Sequence, residues 1–381
     1  MTVISGHMGA DLPLRPIIVW SPIATPHWTH TLSHLGRLVG APIRMYVDDQ
    51  PEDPSRRQFA WAADVSATDG VAILPRSQLG DLAKHDWTGF SHLVCNPFNH
   101  PGHRALLGVL DHQGADHALQ MSMPGLDAGP VGRWLRAALY RFNFSRIANR
   151  ARFILTHGAG CAEWLRAHGV HAKAIRPGGY FVPGIATEPP AAEPGSMEPV
   201  RFAYLGQFIE RKRIASLVNA LTTMPGRGDW TLDAIGAGPD LSTLQARTAG
   251  LPITIKPPVP YHQVIPTLAQ YHALVLPSRA DEWGVVVNEA IHAGCAVVVS
   301  SGCGSADLIA NGGPGIVVAD PLAAAKAMMR LCDDRASLAA FRLQSRMLSP
   351  RITSAAGATY LHQLFHMQTH PAPPWRGMVP S

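Results

Sequence analysis

Short runs of aliphatic and β-branched residues recur along this chain, spaced so that a helix fits between each pair. In the first half they are Ile17 to Trp20, Ile43 to Val47, Val71 to Leu74, His92 to Cys95, His117 to Met121 and Phe153 to Leu155. In the second half they are Arg201 to Leu205, Thr231 to Ile235, Ile253 to Lys256, Ala273 to Leu276, Ala296 to Ser300 and Gly315 to Val318. Continuous apolar runs that alternate with helical stretches predict parallel strands buried on both faces, with helices crossing between them. The halves are separated by Glu188-Pro189-Pro190-Ala191-Ala192-Glu193-Pro194-Gly195, which supports no regular element and reads as a linker near residues 185 to 199. A last helix is predicted over Thr353 to Met367, after a break at Pro350, and the tail Pro371 to Ser381 reads as frayed. The pattern is α/β: two Rossmann-like, doubly wound domains facing each other across a cleft.

One strand-to-helix junction departs from plain alternation. After Ala273 to Leu276, Pro277-Ser278 ends the strand, and Asp281-Glu282-Trp283-Gly284-Val285-Val286-Val287-Asn288-Glu289-Ala290 follows. From Gly284 the period becomes helical, with Val286, Ala290 and Ala293 on one face and Glu289 beside it. A carboxylate on the buried side needs a partner or a ligand. Ligands collect at the carboxyl ends of strands in open α/β sheets. Asp281 as a helix N-cap and Glu289 as a satisfied core carboxylate are the structural alternatives. A second loop, Tyr204-Leu205-Gly206-Gln207-Phe208-Ile209-Glu210-Arg211-Lys212-Arg213, places three consecutive cations where a helix should open. Cations there oppose the helix dipole unless an anion shares them with the backbone N–H groups. A diphosphate fits that description, and a solvent-exposed basic turn is the alternative. A third loop, Ile235-Gly236-Ala237-Gly238-Pro239-Asp240, would let backbone approach a flat or anionic group closely.

Composition narrows the class. A chain of 381 residues exceeds one ordinary core, and 46% hydrophobic against 15% charged residues can bury two. No uninterrupted apolar run is long enough to span a bilayer, and no basic region followed by an apolar core marks a signal peptide. The five cysteines, Cys95, Cys161, Cys295, Cys303 and Cys332, show no CxxC spacing; they read as cytosolic thiols rather than a zinc cluster. The formal charge of +5 permits anionic ligands. The excess is local: no acidic residue lies between Asp127 and Glu163, while Arg133, Arg136, Arg141, Arg146, Arg150 and Arg152 do. Residues 131–152 therefore read as an amphipathic basic helix, either a solvated face or a dock for an anionic membrane or a phosphorylated acceptor. No nucleic-acid-reading motif is present, and nucleic acid is not expected as a partner. The expected location is cytoplasmic, including a peripheral position at the inner face of the membrane.

Taken in order and spacing, Gly206 to Lys212, Gly236-Ala237-Gly238-Pro239, Pro277-Ser278 and Asp281-x-Trp-Gly-x-x-x-Asn-Glu-Ala with Gly294 resemble the donor half of retaining glycosyltransferase family 4, of GT-B fold. The resemblance covers most of residues 200 to 310 and less of the first half. It implies an acceptor-binding domain over 1–187, a nucleotide-sugar-binding domain over 200–348 and a helix over 349–370 that crosses back. It further implies that Glu289 holds the ribose hydroxyls and that Asp281 contacts the donor sugar. Lys212 pairs with the diphosphate, the backbone of Trp283, Gly284 and Val285 faces sugar and phosphate, and Gly206, Gly236 and Gly238 lie near the nucleotide. Two departures stand out: Gln207 where the family often has Arg, with Arg211 or Arg213 as the compensating cation, and Asp281 where it normally has Glu.

The implied reaction is sugar transfer with retention, from a nucleotide-diphosphate sugar, a UDP-sugar by default, to a saccharide or lipid-linked acceptor of a bacterial surface polysaccharide. No cofactor and no metal site is expected, because no Asp-x-Asp is present and Lys212 would stabilise the leaving group. On the acceptor side, Ser21-Pro22-Ile23-Ala24-Thr25-Pro26-His27-Trp28 follows the first strand, so His27 is a candidate catalytic contact. Trp28 is a sugar platform or a core residue. Asn96, Asn99, His100, His103 and the loop from Ser122 are secondary candidates. The competing class is a catalytically weak GT-B protein that binds nucleotide or serves as a scaffold. A nicotinamide-dependent oxidoreductase would need a G-x-G-x-x-G turn after the first strand, which is absent.

Overall fold

The computed structural model describes residues 15–48, 69–98, 100–123, 150–184, 195, 198–224, 230–310, 312–366 and 371–376. The 131–149 part of the basic stretch, Asn99 and most of the linker lie outside the described residues.

Two wholly parallel sheets carry the fold. The first has order β3-β2-β1-β4-β5-β6-β7. Its strands are β1 Ile17–Ser21, β2 Ile43–Val47, β3 Val71–Pro75, β4 Ser91–Cys95, β5 Asp116–Met121, β6 Ile154–His157 and β7 Ile175–Gly178. The second has order β10-β9-β8-β11-β12-β13. Its strands are β8 Val200–Leu205, β9 Trp230–Ile235, β10 Ile253–Lys256, β11 Ala273–Leu276, β12 Ala296–Ser300 and β13 Gly315–Val318. Each predicted run is a strand, within a residue or two at the ends. The four residues of β7 gave no signal, because Arg176-Pro177-Gly178 breaks the apolar run and Pro cannot donate to a ladder.

The helices are α1 Pro26–Val39, α2 Pro101–Gln113, α3 Ala159–Ala167, α4 Ile214–Thr222, α5 Leu241–Arg247, α6 Val264–Leu268, α7 Val286–His292, α8 Pro321–Asp333, α9 Arg335–Leu348 and α10 Ser354–His366. The central strands are buried along their whole length: β1 reads Ile-Ile-Val-Trp-Ser, β11 Ala-Leu-Val-Leu and β12 Ala-Val-Val-Val-Ser. Each fully buried Val, Leu or Ile there contributes about 1.5–3 kcal/mol, which is why these runs admit no charge.

The C-terminal helix α10 packs on α1 of the first sheet's layer. Tyr360 donates from its hydroxyl to Pro177 O at 2.9 Å, and Phe365 meets Phe153 edge-on at 5.1 Å between centroids. Residues 371–376 correct the expectation of a frayed tail. Trp375 is 7% exposed and sits among Phe181, Trp283 and Tyr360, because an indole surrounded by aromatic rings is worth more buried than in water. The two domains also touch through bare backbone beyond their strand ends: a Cβ on Gly158 would lie 2.7 Å from Gly304 Cα. Asp307 Oδ1 accepts from Ala159 N at 3.0 Å, capping α3 from the other domain.

Candidate functional site

In the second sheet the chain winds outward from β8 through β9 to β10, then returns to β11 beside β8 and winds the other way. The loops leaving β8 and β11 therefore flank the switch point, where open α/β sheets collect ligands at the carboxyl ends of their strands. The basic loop and the Asp281 segment, far apart in sequence, are those two loops.

They are joined backbone to backbone. Arg279 N donates to Arg211 O at 2.8 Å, and Arg211 Nη1 donates to Ala280 O at 2.7 Å. The cations do not open a helix as expected. Glu210–Lys212 form one 3-10 turn, Arg213 takes a left-handed conformation (φ 56°), and α4 begins only at Ile214. That turn swings Lys212 back over the strand ends, where Lys212 Nζ donates to Asp281 Oδ2. Arg211 Nη1 lies 3.8 Å from Asp281 Oδ1. Asp281 is no N-cap of α7. Its N–H donates to Gly302 O at 2.9 Å and its carbonyl accepts from Gly304 N at 3.1 Å, so the loop after β12 fixes its backbone. One carboxylate between two cations leaves a net positive site. At 13% and 12% exposure, Lys212 and Asp281 remain reachable from solvent.

The glycines have a firmer structural reason than ligand contact. A Cβ on Gly236 would lie 1.9 Å from Gly206 O, and one on Gly238 would lie 2.3 Å from Phe208 O. Phe208 N donates to Ala237 O at 2.8 Å and Asp240 N to Phe208 O at 3.0 Å. The bare Cα atoms let the loops after β8 and β9 lie against each other. Gln207 is half-buried, and its carbonyl accepts from the Tyr204 hydroxyl at 2.7 Å. Gly284 is left-handed (φ 86°), and a Cβ there would press on Leu276 Cδ2 at 3.0 Å. Val285 is half-buried and stands at the start of α7. Trp283 is 1% exposed. Its carbonyl accepts from Ser305 N at 2.9 Å, and its indole faces the first domain.

Glu289, in the first turn of α7, is 6% exposed. No hydrogen bond or ion pair to its carboxyl exists among the described residues, and burial pushes its pKa up to about 8. An unpaired buried carboxyl is costly in a finished core and ordinary in a ligand site.

His27 lies elsewhere. It is in the first turn of α1, with Nε2 3.0 Å from Thr25 Oγ1 and its ring 4.3 Å from that of Tyr180. It lines a small cavity with Trp28, Gln120, His157, Tyr180 and Tyr360, and neither Lys212 nor Asp281 lines it. Trp28 is buried at 6% as a core residue. His157 is held by Gln120 Nε2 and Ser122 Oγ, each at 3.2 Å, and burial pushes its pKa down to about 3, so it is a neutral hydrogen-bonding group. Asn96 Oδ1 accepts from Ser122 N at 2.9 Å, and His103 Nδ1 lies 2.7 Å from Cys95 O, so both serve the loop ends. Sequence reasoning assigned no role to Asn288 or Tyr180. Asn288 stands inside the motif as an uncharged position before Glu289, and Tyr180 follows β7, whose Pro177 hides the strand. Among the described residues, no group of three or more His, Cys, Asp or Glu is placed to hold a metal ion, and no helix is long and apolar enough to cross a membrane.

Residues 199–334, the second sheet and its helices, match a family model described as glycosyl transferases group 1. No curated protein matches the chain. Several solved structures are similar over nearly their whole length. Anabaena Alr3699/HepE in complex with UDP and glucose gives a TM-score of 0.66 at 11% identity, covering 92% of this chain and 99% of that one. The lipopolysaccharide outer core galactosyltransferase WaaB, in its apo form, gives 0.64 at 16%, covering 92% and 99%. Sucrose-phosphate synthase from Thermosynechococcus elongatus gives 0.65 at 18%, covering 92% and 98%. Likeness at these identities establishes the architecture: this chain has the GT-B fold, two Rossmann-like domains.

Proposed function

We propose that this protein is a nucleotide-sugar-dependent glycosyltransferase, acting with retention on a hexosyl donor without a metal, and that its donor site lies at the switch point formed by the β8 and β11 loops. The observation that carries the reading is a buried carboxyl, Glu289, with no partner among the described residues, in the helix that follows the Asp281 loop at the switch point. In this reading the ribose hydroxyls of a UDP-sugar donate to Glu289, Lys212 and Arg211 meet the diphosphate, and Asp281 orients the sugar. The backbone of Trp283, Gly284 and Val285 borders the sugar, while Gly206, Gln207, Gly236 and Gly238 border the nucleotide. The anomeric C–O bond to the diphosphate breaks, and its electron pair is taken up by the departing nucleoside diphosphate. Lys212 stabilises the charge that develops there. The acceptor hydroxyl oxygen forms the new bond on the same face, and its proton passes to a diphosphate oxygen. The first domain, including the wall that carries His27, receives a saccharide or lipid-linked acceptor such as one used in bacterial surface polysaccharide assembly. In keeping with this, the first domain would occupy residues 1–187, the donor domain 200–348 and the returning helix 349–370. Residues 131–152 would meet an anionic membrane from its inner face.

The reading is supported by the match over residues 199–334 and by the fold. One observation favours the second reading, a protein that binds nucleotide without turning it over: Lys212 is already neutralised by Asp281. A thermal-shift screen against UDP-, GDP-, ADP- and dTDP-sugars, followed by a transfer assay, separates them. A ligand at a hundred times its Kd stabilises the native state by about 2.7 kcal/mol. A shift without turnover on any acceptor supports the second reading; the absence of a shift with every donor rejects both.

A further inference from the structure

We propose that Asn288, together with Trp283, is the positioning residue of the donor site, and that the first domain holds this pair through the backbone of Gly179 and Tyr180. The inference rests on the donor contact assigned above to Glu289.

Asn288 is fully buried, and both ends of its amide are used, one of them across the domain boundary. Its Nδ2 donates to Tyr180 O of the first domain at 2.9 Å, and its Oδ1 accepts from Trp283 Nε1 at 2.7 Å. A planar group with one donor and one acceptor side is required there, and Leu or Val would supply neither. Trp283 in turn lies flush against the first domain, since a Cβ on Gly179 would be 2.5 Å from its Cη2. Its ring also lies 5.8 Å from that of His157 and 6.2 Å from that of Trp375.

The consequence follows from adjacency. Asn288 and Glu289 are consecutive in α7, about 100° apart around the helix axis. Fixing Asn288 on Tyr180 therefore sets the rotation of α7 and with it the direction of the Glu289 carboxyl. Trp283 lies between Asp281 and Gly284, so the same amide sets the outer end of that loop, while Gly302 and Gly304 set its inner end. If the domains part, Asn288 loses its acceptor and Trp283 loses its seat on Gly179. The donor site is then complete only when the first domain is docked, and donor affinity is coupled to the acceptor side through Tyr180, whose ring packs on His27 at 4.3 Å.

The test uses the full chain and two variants. Asn288→Leu removes both hydrogen bonds at similar volume. Trp283→Phe removes only the N–H donor and keeps a ring on Gly179, which serves if the first variant does not fold. Amide hydrogen exchange is followed without ligand at Asp281, Gly304 and Ser305, whose hydrogen bonds involve the loop or its anchors. Donor Kd is followed by calorimetry with the nucleotide sugar that stabilises the wild type. The expected result is loss of exchange protection at those amides and about tenfold weaker donor binding, with β8 and β11 amides unchanged. A role confined to packing lowers the melting temperature and changes all amides together, leaving Kd intact below the transition; that outcome overturns the proposal. If the wild type binds no nucleotide sugar, the donor reading fails by itself. The exchange data still decide: selective loss at the loop keeps the positioning role, and unchanged protection removes it.

Discussion

Glu289 gives the sharpest quantitative test. Burial raises its pKa from the ordinary 4.5 to about 8, so in the empty protein near neutrality the carboxyl is mostly protonated. Two ribose hydroxyls need a carboxylate with both oxygens free to accept, and a protonated carboxyl offers one acceptor fewer. Donor binding must therefore expel the proton. The return from about 8 toward the ordinary value corresponds to an upper limit of about 5 kcal/mol, which the ligand's hydrogen bonds have to supply. By linkage, the donor Kd should fall about tenfold for each pH unit from 6 toward 8 and level off above it. The stability of the empty protein has the opposite sign. The raised folded pKa favours the native state below about 4.5, and that contribution is lost as pH rises toward about 8. Calorimetry with an intact nucleotide sugar is the assay, because its diphosphate diester does not titrate in this window. Repeating it in buffers of different ionisation enthalpy counts the protons, and close to one should be released at pH 6.5. A pH-independent Kd with no proton release would refute the assignment. Glu289→Gln should abolish the proton release, weaken donor binding and make the empty protein more stable at pH 8.

Lys212→Ala should lower kcat by about a hundredfold or more while changing donor Kd less, as for loss of a charge that matters most in the transition state; equal effects on both would remove the leaving-group role. Gly236→Ala has to separate two loops whose contact leaves 1.9 Å for a Cβ, so a loss of about 3 kcal/mol or more is expected; a melting temperature within about a degree of wild type would contradict the contact. Transfer activity should survive EDTA at millimolar concentration, since Lys212 supplies the charge that a metal would; complete loss on chelation, restored by a divalent ion, would reject the metal-free scheme.

Much of this molecule was legible in the order of its residues. Parallel strands buried on both faces have to be continuous apolar runs, and runs such as Ala273 to Leu276 and Ala296 to Ser300 announce themselves without any partner in view. Glycines whose backbone is crowded are also visible in sequence, although their neighbours are not. Gly236 and Gly238 read as ligand-facing, and the structure shows them crowded by Gly206 and Phe208. Signals that depend on a distant partner were silent or misleading. The short edge strand β7 carries Pro177, and the tail residue Trp375 reads as frayed until Phe181, Trp283 and Tyr360 surround it. His27 and Lys212 drew attention by type, yet they stand in different walls.

The local pattern of hydrophobic runs and breakers determined that there would be two parallel α/β sheets, because strand burial and turn chemistry act over a few residues. It also marked Asp281, Glu289 and Lys212, because charged groups beside apolar runs are costly without a purpose. Only the tertiary structure decided that Lys212 meets Asp281, since the strand order places the β8 and β11 loops side by side although 69 positions separate the two residues. It alone decided that Asn288 reaches Tyr180, which is 108 positions away. Hydrogen bonds between residues so far apart depend on how whole sheets are wound and docked, and no local stretch of sequence carries that information.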